Sequence, residues 1–189
     1  MSAQFPPPPQ DTSPFSRRNQ IGRVLWSLVY VLFFYWSPRP LHGWRAFLLR
    51  CFGANIGRRV HVYRTAVVWA PWQLTIGDHC GIGDGARLYN LAPITIGNRT
   101  TISQGVHLCT GTHDFEQPGF PLVARPITVG DDAWVAAEAF VHPGVHIADG
   151  SVVGARSVVV RNTRPWMVHA GMPARPLRER NRPQEEPAP

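Results

Sequence analysis

The sequence predicts an all-β solenoid, a coil of very short parallel strands wound into a triangular prism. Three observations predict it. An aliphatic residue recurs every six positions, at Ile56, Val62 and Val68, then Ile76, Ile82 and Leu88, then Ile96, Ile102 and Leu108, and again at Val129, Val135, Val141, Ile147, Val153 and Val159. The residue after it is repeatedly small: Gly57, Gly77, Gly83, Gly97, Ser103, Gly130, Ala136, Ala148, Gly154. The rhythm breaks in few places, and its one long break, between Leu108 and Val129, marks an insertion.

A helix repeats near 3.6 residues and a strand near 2, so neither carries this beat. Six residues hold one short strand and a corner, and three such units close a turn of about 18 residues that covers its neighbours' apolar edges. The aliphatic side chains point inward, and β-branched ones suit short stacked strands. The small residue beside each is expected to take corner backbone angles and to leave room for the next coil. Residues one turn apart, such as Val129 and Ile147 or Val135 and Val153, should form interior ladders. A β-sandwich would need hairpin turns and period-two alternation instead.

The elements follow in order. A chain of 189 residues has room for one domain with extensions. Residues 1–20 are Pro-rich and predicted disordered. Residues 21–53 form an apolar helical segment. Val24 to Trp36 reads VLWSLVYVLFFYW, yet a helix of that length reaches only roughly 20 Å against a hydrocarbon core of about 30 Å. Pro38 and Pro40 stop it. Two readings of this segment stay open. It is a lid on the open end of the solenoid, or residues 24–52 make a peripheral membrane contact, with Trp26, Trp36 and Trp44 at headgroup depth and arginines meeting anionic lipid. Residues 54–164 carry the repeat. Slips of two residues before Ile76 and Ile96 predict corner bulges at Pro71 and Pro93. The loop inserted at about 109–128 is expected on a binding face. A C-terminal segment, 165–180, and a disordered tail, 181–189, complete the chain.

The net charge of +7 favours anionic ligands or surfaces. The arginines are scattered, with no zinc-finger spacing and no RNP-like motif, which argues against a nucleic-acid partner. Three cysteines, Cys51, Cys80 and Cys109, make no disulfide framework and suit a reducing compartment. No cleavage site follows the apolar stretch, so a cytoplasmic location is expected, peripheral on the inner membrane face under the anchor reading.

Four segments carry a family resemblance: YNLAPITIG from Tyr89, ISQGVHLCTGTHDF from Ile102, PITVGDDAWVAAEAFVHPGVHI from Pro126, and VVGARSVVVRNTRPWMVHAGMPARPLR from Val152. The chain resembles the hexapeptide-repeat acyltransferases, and within them the sugar O-acetyltransferases of the colanic acid and exopolysaccharide type. The resemblance implies a left-handed parallel β-helix, acetyl-CoA as co-substrate, no metal, a carbohydrate acceptor, and a homotrimer with sites between subunits. Left-handedness is an exception to the usual crossover rule and comes from the resemblance alone.

His113 stands where the repeat opens into the insertion, and a neutral imidazole can take a proton from a sugar hydroxyl near pH 7. The resemblance makes it the general base of a direct transfer that needs no covalent residue on the protein. In the family it resembles, a backbone carbonyl or a carboxylate orients this ring; Asp114 or Glu116 is the candidate carboxylate, against a capping role within the loop. Asn90 resembles the family's asparagine at the acceptor hydroxyl. For CoA, Gly111 or Ala136 is the candidate oxyanion donor. Ala136, Ala137, Gly154 and Ala155 line the candidate pantetheine path, Trp134 lines that channel or closes a subunit seam, and Arg156, Arg161, Arg175 and Arg178 are candidates for phosphate. Two alternatives remain. One is a zinc carbonic-anhydrase-like enzyme, for which three imidazoles are required and whose histidine spacing His107, His113 and His142 do not reproduce. The other is a non-catalytic scaffold, which the presence of His113 disfavours.

Overall fold

In the computed structural model, which describes residues 16–182, every aliphatic residue of the six-residue beat is buried. Each sits on a strand of two or three residues whose outward neighbour is exposed or half-buried. Same-face strands pair in parallel, in register. The first face stacks Asn55–Ile56, Leu74–Ile76, Ile94–Ile96, Ile127–Val129 and His146–Ile147. The second stacks His61–Val62, Gly81–Ile82, Thr101–Ile102, Trp134–Val135 and Val152–Val153, then Met167–Gly171. The third stacks Val67–Val68, Arg87–Tyr89, His107–Cys109, Phe140–Val141 and Val158–Val159. The expected ladders are present: Val129 pairs with Ile147 and Val135 with Val153. Pro71 opens a short 3-10 turn at the first expected bulge.

The small residue after each aliphatic serves for close approach and not for backbone angle. A Cβ on Gly97 would come within 2.7 Å of the Asp131 nitrogen and the Gly130 carbonyl carbon in the next coil. The positive φ angles fall later in each corner, at Arg59, His79, Arg99, Asp132, Glu138 and Arg156. One corner is also tied by side chains. The backbone N–H groups of Arg58, Asp78, Asn98 and Asp131 donate to the side-chain oxygens of Asp78, Asn98, Asp131 and Asp149, each one coil on. This ladder satisfies corner amides that the short strands cannot reach.

Helix α1 (Arg17–Val29) runs into a π-turn over Tyr30–Phe34, and α2 (His42–Cys51) follows the proline break. Arg17–Gln20 are therefore helical, earlier than the expected boundary at 21, and Arg182, in the tail expected to be disordered from 181, lies over the Trp166 ring; the disorder expected at 1–15 and 183–189 falls outside the described residues. The helical pair covers the open end of the solenoid. Trp26 donates its indole N–H to the Val68 carbonyl at 2.7 Å, and Phe34 and Leu49 are buried beside it. Arg45 is fully buried, and its guanidinium donates to the Val62, Pro38 and Arg39 carbonyls and to the Ser37 hydroxyl. Trp26 and Arg45 are thus fastening groups of the lid and not headgroup contacts, because both are turned toward the first coil.

At the other end, Met167–Gly171 hooks back through an antiparallel pairing with Ala174–Glu179. The insertion is a β-hairpin, Gly111–His113 paired with Leu122–Ala124, projecting between the third face and the first.

Candidate active site

The hairpin sets His113. Its register and the bonds Arg125 N–H to Thr110 O and Asp114 N–H to Pro121 O make Gly111 and His113 the non-hydrogen-bonded positions of the ladder. Phe120, at φ 48°, turns its carbonyl back to the imidazole, and His113 Nδ1 lies 2.6 Å from that oxygen. A carbonyl only accepts, so Nδ1 carries the proton and Nε2 keeps its lone pair. The ring borders a cleft of about 310 Å³ lined by Thr112, Asp114, Phe115, Val123, Arg125, His142 and Pro143.

The orienting group is therefore a backbone carbonyl, and neither carboxylate does that work. Asp114 accepts from the Glu116 N–H and from the Gln117 side-chain amide, which caps the loop; the Glu116 side chain is exposed and makes no hydrogen bond to the imidazole. Asn90 is also corrected. It is wholly buried, and its amide bonds both the N–H and the C=O of Ala70 one coil earlier, so it is an interior rung with no access to a ligand.

The CoA candidates divide. Ala136 is buried and its N–H donates to the Val153 carbonyl, so it cannot serve an oxyanion. Gly111 keeps an N–H outside the hairpin ladder, and a Cβ there would press on the Leu91 and Tyr89 side chains. Trp134 lies outward on the second face with its N–H on Ser103 Oγ at 2.8 Å. Gly154 is half-buried, and a Cβ there would meet the Ala170 methyl at 2.8 Å, so it serves coil packing. Arg156 is engaged with Glu138 at 2.7 Å, in an exposed pair. Arg161 is exposed at a corner, and Arg178 donates to the Glu179 carbonyl. The structure does not gather these arginines around His113; the arginine in the cleft is Arg125, which the sequence reading passed over.

It also passed over the third face. Outward side chains there form a run of rings: Trp69 to Tyr89 at 5.9 Å, Tyr89 to His107 at 6.4 Å, His107 to Phe140 at 5.0 Å and Phe140 to His142 at 5.2 Å. Trp69, Arg87, Tyr89, His107 and Cys109 line a groove of about 500 Å³, and His142 joins this run to the cleft of His113. Burial, and then the Arg87 charge, hold the His107 imidazole below its usual pKa. Burial pushes the Cys109 thiol up and its Sγ donates to the Gly111 carbonyl, which leaves it a poor nucleophile. The missed signal was the residue on either side of each third-face aliphatic. Among the described residues, no three His, Cys, Asp or Glu side chains stand close enough to hold a metal ion, so the zinc alternative has no donor set within one copy of the chain.

This arrangement defines a class: a parallel β-helix with a histidine presented on an inserted hairpin. The family model described as "hexapeptide repeat of succinyl-transferase" matches residues 73–110 and 126–161. The solved structure of a hexapeptide-repeat-containing acetyltransferase of Vibrio cholerae, complexed with acetyl-CoA, superposes with a TM-score of 0.80 at 25% identity, over 90% of this chain and 93% of that one. The fold is the left-handed parallel β-helix of such enzymes. The chain belongs to the hexapeptide-repeat acetyltransferases. Within that family it is 46% identical to the putative colanic acid biosynthesis acetyltransferase WcaF of Escherichia coli (strain K12), over 88% of this chain and 91% of the relative. It is 33% identical to the galactoside O-acetyltransferase of the same organism, over 67% of this chain and 57% of that relative.

Proposed function

We propose that the protein transfers the acetyl group of acetyl-CoA to a hydroxyl of a carbohydrate in glycan biosynthesis, with His113 as general base. The observation that carries this is the bond from His113 Nδ1 to the Phe120 carbonyl, which leaves the lone pair on Nε2 of a ring that borders a polar cleft. Nε2 removes the hydroxyl proton as the sugar oxygen attacks the thioester carbonyl. The C–S bond then breaks, and the imidazolium returns its proton to the CoA thiolate, so no covalent enzyme intermediate is needed. Arg125 and the Gly111 N–H are the groups suited to the negative charge that develops on the carbonyl oxygen. The acceptor ring stacks on Trp69, Tyr89, His107 and Phe140, whose faces and edges suit a sugar's apolar C–H patches. The exposed Phe115 and Phe120 of the hairpin fit a site that a neighbouring copy closes, as in the trimer the resemblance implies.

Free-thiol release from acetyl-CoA in the presence of candidate glycans tests the reading. His113→Ala is expected to lower the rate by roughly 10²–10⁴-fold with melting unchanged. A variant as active as the parent would remove His113 from the chemistry.

A further inference from the structure

The lid carries a second apolar surface that the solenoid does not use. On α1 and the π-turn that continues it, the inner stripe, Trp26, Tyr30 and Phe34, packs on the first coil. The outer stripe, Ile21, Val24, Leu25, Leu28 and Leu32, has the same helical period and stands 52–62% exposed. On α2, Leu41, Trp44 and Phe47 repeat this, at 40–51% exposure. The two stripes join, since the Trp44 indole donates to the Phe33 carbonyl at 3.0 Å and its ring stacks on Phe47. Together these side chains present on the order of 1,000 Å² of apolar surface, well beyond the few hundred Å² usual on a monomer.

The charge around this surface is mainly positive, and Asp84, an acidic residue that reaches it from the solenoid, pairs with Arg39 at 3.1 Å. Between residues 16 and 77 there are nine arginines and no acidic residue. Arg17, Arg18, Arg39 and Arg50 are exposed beside the helices. Trp36, 68% exposed, stands at the end of the π-turn. A tryptophan-edged apolar stripe with arginines around it matches the interface of an anionic bilayer, where rings and alkyl groups enter the headgroup region and guanidinium groups meet phosphate. Pairing of two copies through this face would set one arginine rim against another. No helix among the described residues is long and apolar enough to cross a membrane, and α1 is pinned by Trp26 and Phe34, so it lies along the surface.

We propose that the outer face of α1 and α2 seats the protein on an anionic lipid surface. Docking is independent of the acetyltransfer reading; one consequence rests on that reading. The pocket under α1, lined by Arg23, Tyr30, Val67 and Trp69, shares Val67 and Trp69 with the third-face groove, so a lipid-linked acceptor would reach the aromatic run from the membrane side.

Co-sedimentation with phosphatidylglycerol-containing vesicles and with pure phosphatidylcholine vesicles tests the docking, using the full chain and the double variant Val24→Glu/Leu28→Glu. The parent is expected to pellet with anionic vesicles, to lose at least about tenfold in binding at high salt, and to pellet far less with neutral ones. The variant is expected to stay in solution while keeping its melting temperature and its mass in solution. Failure of the parent to bind overturns the proposal, as does a variant that binds equally well. A variant that falls apart into smaller assemblies also overturns it, because the face would then be an interface between copies. Thiol release measured on the same samples keeps failure of docking apart from failure of catalysis.

Discussion

The first and third faces of the prism share an interior and differ outside. Inward, Ile76, Ile96 and Val129 on one face match Leu88, Leu108 and Val141 on the other in size, burial and register. Outward, the first face presents Thr75, Thr95 and Thr128, whereas the third presents Arg87, His107 and Phe140, flanked by Trp69, Tyr89 and His142. The difference teaches that the repeat builds the scaffold equally on every side, and that chemistry belongs to the positions the repeat leaves unspecified.

Three experiments can break or sharpen that comparison. The largest effect is expected inside. Ile96→Ala and Leu108→Ala should each cost about 2–5 kcal/mol in urea unfolding, because both leave a cavity in a close-packed column. A large gap between them would show that the interiors are not equivalent. The next effect lies outside. Tyr89→Ala on the third face should raise the KM for the acceptor by about tenfold with stability nearly unchanged, and Thr95→Ala on the first face should alter neither. Equal kinetic effects from both would deny the third face its role in binding.

The smallest effect is on pH. The folded pKa of His107 is held below its unfolded value, near 6.5, by burial. Well above pH 6.5 both states are neutral and His107 adds no pH dependence. As pH falls from there toward the folded pKa, the unfolded chain binds more protons and stability drops. Buried His169 acts in the same direction. His107→Gln should therefore shallow the fall in stability below pH 6.5 without abolishing it. Asp132, held down by its bond to Arg99, acts at lower pH, across the carboxylate range. A slope unchanged by the substitution would contradict the burial of that ring.

The insertion shows a further contrast with the coils. The break in the beat located it, and the imidazole at its mouth was evident from the THD segment. The partner of that imidazole was not: Phe120 is seven residues away across a turn, and nothing in its side chain marks its carbonyl. Asn90 misled for a related reason. A polar residue at a coil corner reads the same whether it turns toward a ligand or, as here, inward to the backbone of the preceding coil.

The sequence by itself determined the coil, its three faces, the place of the insertion and the histidine that opens it. These depend on the spacing of residues near one another in the chain, and burial of an aliphatic every six residues has few other solutions. Tertiary structure alone decided which nitrogen of His113 is free, which arginine enters the cleft, how rings from successive coils line up, and which stripe of the lid faces water. Those outcomes depend on contacts between coils and on the direction in which a side chain leaves a corner, and a linear pattern specifies neither.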